Sequence, residues 1–93
     1  MSHIYLAECN GIVEIRADLK RLALSKTADY VNTNYPRVSI ESMMLEILLP
    51  TEETYTGYYV VEYSFRFTTY ANSEEYVKNL AKDCDTIHVI SVD

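Results

Sequence analysis

From Gly57 to Tyr70 the chain alternates with a period of two. Tyr59, Val61, Tyr63, Phe65 and Phe67 are large and apolar at odd positions, whereas Tyr58, Val60, Glu62, Ser64, Arg66 and Thr68 are mixed at even ones. Such alternation in β-branched and aromatic types predicts a long strand with one buried face. The segment before it, residues 37–49, starts in phase with Val38 and Ile40 and then changes parity to Met43, Leu45, Ile47 and Leu49. One inserted residue near Glu41-Ser42 accounts for the change and predicts a β-bulge there. A helical turn over 42–48 competes, because Met, Leu and Glu are good helix formers. Residues 50–56 read as an acidic loop. Pairing Leu49 with Gly57 in an antiparallel register sets Ile47 against Tyr59, Leu45 against Val61 and Met43 against Tyr63, which collects the large residues on one face.

Upstream, residues 3–9 and 12–20 flank Asn10-Gly11, a dipeptide that tolerates the positive φ angles of a type I′ turn and so predicts a hairpin. Val13, Ile15, Ala17 and Leu19 alternate with Glu14, Arg16, Asp18 and Lys20, although Ile15, Leu19, Leu22 and Ala23 also share a helical face. Ser25 is a candidate cap for a short helix ending near Tyr35, before Pro36. Asn72 and Glu75 have capping-box spacing for a last helix whose apolar stripe is Tyr76, Val77, Leu80, Ala81 and Cys84, with Glu74 and Lys78 one turn apart. Thr86 to Val92, apolar on both parities, predicts an interior strand covered on both faces.

Each half then reads strand, helix, strand, and sparse echoes such as Val13-Glu14 against Val61-Glu62 agree with a duplication of that unit. The expected fold is α+β: a two-layer sandwich, ferredoxin-like in its βαββαβ order, with an antiparallel sheet, two helices on one face and an extra N-terminal strand. Residues 1–93 are expected to form one compact domain. No stretch approaches the roughly 18 apolar residues of a membrane span, and the N-terminus has no basic region before its apolar residues and no convincing cleavage site, so no secretory signal is expected. Cys9 and Cys84 show neither zinc nor redox spacing and read as buried free thiols. A cytoplasmic protein is the expectation.

Charge and motifs narrow the function. The net charge is −6, and it is uneven: residues 1–40 carry five basic and four acidic side chains, residues 41–93 three and ten. Such an acidic half repels phosphate backbones, disfavours direct nucleic-acid binding and suits a basic protein partner. No Walker loop, G-x-G-x-x-G, H-E-x-x-H or G-x-S-x-G is present, and two cysteines cannot hold an iron–sulfur cluster of four-cysteine type. His88 reads as packed in its strand, and burial on the helix stripe is expected to raise the Cys84 thiol pKa. No catalytic residue, metal or cofactor is therefore expected.

The run Thr56 to Tyr63 partly resembles the RNP1 pattern of RRM domains, and Ile4-Tyr5-Leu6 the opening of RNP2. That resemblance implies RNA binding by stacked aromatics, but Thr56 stands where a basic residue belongs and Val60 replaces a stacking ring. The preferred expectation is a non-catalytic protein-binding module. Its candidate partner-binding residues are Met44, Glu46, Leu48, Glu52, Glu53, Tyr58, Val60, Glu62 and Arg66, on the acidic hairpin and open sheet face. By analogy with small phage or mobile-element inhibitors, it would occupy a basic nucleic-acid-binding site of its target. A homodimer through the same face, as in an ACT-like ligand-sensing domain, is the alternative, with the RRM-like reading after it.

Overall fold

The structure, a computed structural model, describes residues 2–49 and 57–92. In chain order its elements are β1 (His3–Arg16), α1 (Lys20–Asn34), β2 (Ser42–Leu49), β3 (Tyr58–Ala71), α2 (Glu74–Leu80) and β4 (Thr86–Ser91). The fold is α+β, with one four-stranded antiparallel sheet in the order β2-β3-β1-β4. Odd positions of the strands face the helices. Val31 of α1 and Val77 of α2 enter one core with Ala7, Cys9, Tyr63, Phe65, Phe67 and Val89, so both helices cover the same face and leave the other open. A second cluster, Ala17, Ala23, Tyr59 and Val61, continues the core under the start of α1.

The body measures 53 × 18 × 17 Å, and its Cα radius of gyration of 15.0 Å exceeds the roughly 12 Å of a compact chain this long. Two 14-residue strands, β1 and β3, account for the length: at about 3.3 Å per residue each spans roughly 46 Å.

Asn10-Gly11 does not turn. Residues 3–16 form one unbroken strand paired with β3 from His3↔Ala71 to Arg16↔Tyr58, so there is neither an N-terminal hairpin nor an extra N-terminal strand among the described residues. Gly11 serves another purpose. It is buried opposite Tyr63, and a Cβ built there would lie 2.6 Å from Tyr63 Cζ and closer still to its hydroxyl oxygen. The glycine leaves the space that the phenol ring fills.

Helix α1 starts at Lys20 rather than at Ser25. Its N-cap, Leu19, gives no side-chain hydrogen bond, and the helix is fixed by packing of Ala23, Thr27 and Val31, successive i,i+4 positions on its buried face. The Thr27 hydroxyl is satisfied by donating to the Ala23 carbonyl at 2.7 Å.

Residues 37–41 are not strand, so the parity change at Glu41-Ser42 needs no bulge: Val38 and Ile40 pack on the core from an irregular segment. The irregularity falls later, where the register passes from Ile47↔Val61 to Leu49↔Val60. Leu48 is the extra residue, and Leu49 leaves the helix-covered face. The β2–β3 register is two residues from the expected one, with Met43 opposite Phe65 and Leu45 opposite Tyr63. A shift of two preserves the face of every side chain, whereas a shift of one would have inverted it.

The N-cap of α2 is Ser73, whose side chain accepts from Tyr76 N–H at 3.3 Å, rather than Asn72. Glu74 and Lys78 do pair, at 3.9 Å. Val77 and Ala81 carry the buried stripe, while Tyr76 stays exposed. β4 is an edge strand paired only with β1, not an interior strand, and of its residues Val89 alone is buried. Among the described residues no helix is long and apolar enough to cross a membrane.

Candidate functional site

The helix-free face is built from the even positions of the strands, and the registers place them in rows across the sheet. One row runs Ser42, Arg66, Glu8, His88; the next Met44, Ser64, Asn10, Thr86; the next Glu46, Glu62, Ile12. Beyond them lie Leu49, Val60 and Glu14, and at the opposite end Thr68, Leu6, Ile90 and then Tyr70 and Ile4. The centre is therefore charged and polar, the end at Leu6, Ile90 and Tyr70 is apolar, and the other end mixes Leu49, Val60 and Tyr58 with Glu14 and Arg16. A shallow depression of about 150 Å³ lies at the centre, lined by Glu8, Asn10, Ser42, Met44, Ser64 and Arg66 among others.

Two features of this face bear on what it could bind. Large apolar side chains stand out from it, with Met44 and Tyr70 each 71% exposed and Tyr58, Leu48, Ile12 and Ile90 also open to solvent. Methionine and tyrosine are among the residue types enriched at interface cores. Glu46 and Glu62 are direct cross-strand partners. Like charges directly opposite one another on neighbouring strands destabilise the sheet, and the rest of that row adds no compensating charge, because Ile12 is next to Glu62. Four carboxylates (Glu8, Glu14, Glu46, Glu62) share the face with two guanidinium groups, Arg16 and Arg66.

Of the residues expected to contact a partner, Met44, Glu46, Tyr58, Val60, Glu62 and Arg66 lie on this face, and Leu48 is exposed at the bulge beside it. Glu52 and Glu53 lie outside the described residues. The sequence reading missed Glu8, Asn10, Ile12 and Glu14, because a hairpin at Asn10-Gly11 took β1 out of the centre of the sheet. It also missed Tyr70, Ile90 and the exposed His88, which is registered against Glu8 rather than packed in the core.

The covered face holds a second constellation. Cys84 Sγ is 3.2 Å from Tyr35 Oη, which is 3.2 Å from Tyr63 Oη. The Tyr35 ring lies against Phe65 with centroids 4.9 Å apart, and Tyr30 against Tyr63 at 5.9 Å. The Cys9 thiol belongs to the same buried cluster and acts on Cys84 as a hydrogen-bond partner in setting its titration. That interaction is the main reason the Cys84 thiol is pulled down to about 7, aided by the Tyr35 and Tyr63 hydroxyls and opposed by burial. Cys9 moves upward, through the same interaction and its own burial. Burial alone would have raised Cys84, as the sequence suggested; hydrogen bonding to the thiolate outweighs it.

Burial pushes the Tyr63 phenol up to about 12 and raises Tyr35 as well, from an ordinary value of 10. The folded chain thus keeps protons that the unfolded chain releases above pH 10. The contribution of these two phenols to stability is constant below that value and falls as pH rises toward 12. Denaturation midpoints across this window should decline for the wild type and decline less steeply for Tyr63→Phe; equal slopes would remove Tyr63 from the account.

Among the described residues no group of three or more His, Cys, Asp or Glu is arranged to hold a metal ion. Comparison with known proteins is negative: no protein-family model matches the chain, and no curated protein is detectably similar to it.

Proposed function

We propose that this chain is a non-catalytic protein-binding module that engages a basic partner through the open face of its sheet. The observation that carries the reading is the Glu46–Glu62 pair, two carboxylates set directly opposite each other between exposed Met44 and Val60. A lysine or arginine from a partner would sit between them and relieve their repulsion, while Met44, Tyr58 and Leu48 supply apolar area around it. A basic nucleic-acid-binding surface offers such side chains, so occupancy of that surface, and hence inhibition of its owner, follows from the same chemistry.

Self-association through this face fits less well. A second copy would bring four more carboxylates to an area that already carries twice as many acids as bases. The strand order β2-β3-β1-β4, with each helix joining two strands that flank a third, supports a ferredoxin-like reading of the sandwich. Free thiols at Cys9 and Cys84 suit a reducing compartment, which supports placing the protein in the cytoplasm.

Glu62→Gln separates a binding role from a structural one. Removing one of two opposed charges should stabilise the free chain by a few tenths of a kcal/mol in a denaturant titration. The same substitution should weaken capture of a basic protein from a lysate of the source cells. Destabilisation together with unchanged capture would show that the pair serves the fold alone.

A further inference from the structure

Cys9, within β1, and Cys84, in the turn between α2 and β4, are both free and share one core cluster despite their separation in sequence, each thiol being the strongest influence on the other's titration. Their surroundings are unequal. Cys9 is 2% exposed and is held in the sheet between Phe65 of β3 and Ile87 of β4. Cys84 is partly exposed and lies in a turn rather than a strand. One cysteine is thus partly exposed in a turn and the other is buried on a rigid strand. The Tyr35 hydroxyl lies 3.2 Å from Cys84 Sγ and is itself linked to the Tyr63 hydroxyl. This chain of phenols can turn its hydrogens toward the sulfur once it is a thiolate. A partly exposed, hydrogen-bonded cysteine with a second free thiol in the same cluster is the arrangement of an oxidisable cysteine with its resolving partner.

We propose that Cys84 and Cys9 form a hydroperoxide-oxidisable dithiol, in which Cys84 attacks the peroxide and Cys9 resolves the product to an intramolecular disulfide. The Cys84 thiolate bonds to one peroxide oxygen, the O–O bond breaks, and the second oxygen leaves as water after taking a proton, so that Cys84 becomes a sulfenic acid. The Cys9 sulfur then bonds to Cys84 sulfur and displaces the hydroxyl, which leaves as a second water with the Cys9 proton. Two thiols lose two electrons, and one hydrogen peroxide gains them. Tyr35 is a positioning residue that holds the Cys84 thiolate. The inference stands apart from the partner-binding reading, since it uses the covered face of the sheet.

The test treats the reduced full chain with hydrogen peroxide near neutral pH, blocks residual thiols with N-ethylmaleimide, and maps peptides without reduction. The expected product is a monomeric Cys9–Cys84 disulfide, with the chain lighter by two hydrogens. Cys9→Ser should stop at a Cys84 sulfenic acid that dimedone traps. Cys84→Ser should slow oxidation of the remaining thiol by on the order of tenfold or more. Tyr35→Phe should move the pH profile of Cys84 alkylation by iodoacetamide upward, which loss of packing alone would not do. The proposal is overturned if the wild type forms only intermolecular disulfides, or if it keeps both thiols under conditions that oxidise glutathione. It is equally overturned if Cys84→Ser is oxidised as fast as the wild type. The wild-type mapping decides even where a cysteine variant does not fold.

Discussion

Phe67→Ala is expected to lower stability by about 3–5 kcal/mol and the thermal midpoint by on the order of 20 °C, the largest effect of any single truncation in the chain. Phe67 is fully buried and is the largest of the fully buried side chains. Its cross-strand neighbour is Ala7, which in turn lies opposite Val89, and the same core contains Ala71 and Ala81. These small side chains have no rotamers with which to close the hole, so the cavity term adds fully to the lost transfer energy. A domain of this size has about 5–15 kcal/mol in total, so the variant should be partly unfolded at physiological temperature. Phe67→Leu, which keeps most of the volume, should recover most of the loss in a denaturant titration. Equal midpoints for the alanine and leucine variants would mean that the site collapses freely, against the packing described.

Gly11→Ala is the second large effect, and it acts by overfilling. The added Cβ would sit 2.6 Å from Tyr63 Cζ, and the obstacle is an aromatic ring rather than the end of a flexible chain. That ring cannot swing aside, because Tyr35, Tyr30 and Phe65 pack against it. A cost of about 3 kcal/mol, the upper part of the range for overpacking, is expected from chemical denaturation. Gly11→Ala combined with Tyr63→Leu should cost less than the sum of the two single changes, since the methyl group then meets a side chain that can repack. Simple additivity would contradict a direct clash. The near-UV circular dichroism of the tyrosine cluster should change in Gly11→Ala and far less in a surface variant such as Glu14→Ala.

The same glycine explains where the sequence misleads. Asn10-Gly11 has the composition of a type I′ turn, but parity argues against a turn there. A two-residue hairpin loop would set Cys9 opposite Ile12, and then Ala7 opposite Glu14 and Tyr5 opposite Arg16, mixing core and solvent faces. The apolar set Tyr5, Ala7, Cys9, Val13 and Ile15 stays on odd positions straight through Gly11, as a continuous strand requires. Turn chemistry is local, whereas the close approach of Tyr63 is tertiary, and only the parity carries a trace of it. Ser25 misled in a similar way: it has the chemistry of a cap, but α1 is held by Ala23, Thr27 and Val31 against the sheet and begins without a side-chain cap.

The long β3, its antiparallel hairpin with β2 and the sandwich of two helices on one sheet face were legible, because a two-residue period fixes faces even when the register is displaced by two. Six predicted surface residues, Met44, Glu46, Tyr58, Val60, Glu62 and Arg66, consequently occupy the open face. The contribution of β1 and β4 to that face was not legible. It depends on strand order, and strand order is set by which edges meet across the core rather than by any local pattern. Leu49 is the one residue of the hairpin whose face changed, because the extra residue Leu48 reverses the parity after Ile47.

The central claim is that the open face binds a basic protein through Glu46 and Glu62. Its most direct test is quantitative capture from a lysate of the source cells by the wild-type chain and by a Glu46→Lys, Glu62→Lys variant, matched for circular dichroism and read by mass spectrometry. The account predicts that the wild type retains a protein with a basic surface and that the variant, presenting two cations to it, retains on the order of tenfold less or lower. Recovery of the same proteins in the same amounts by both chains would contradict it.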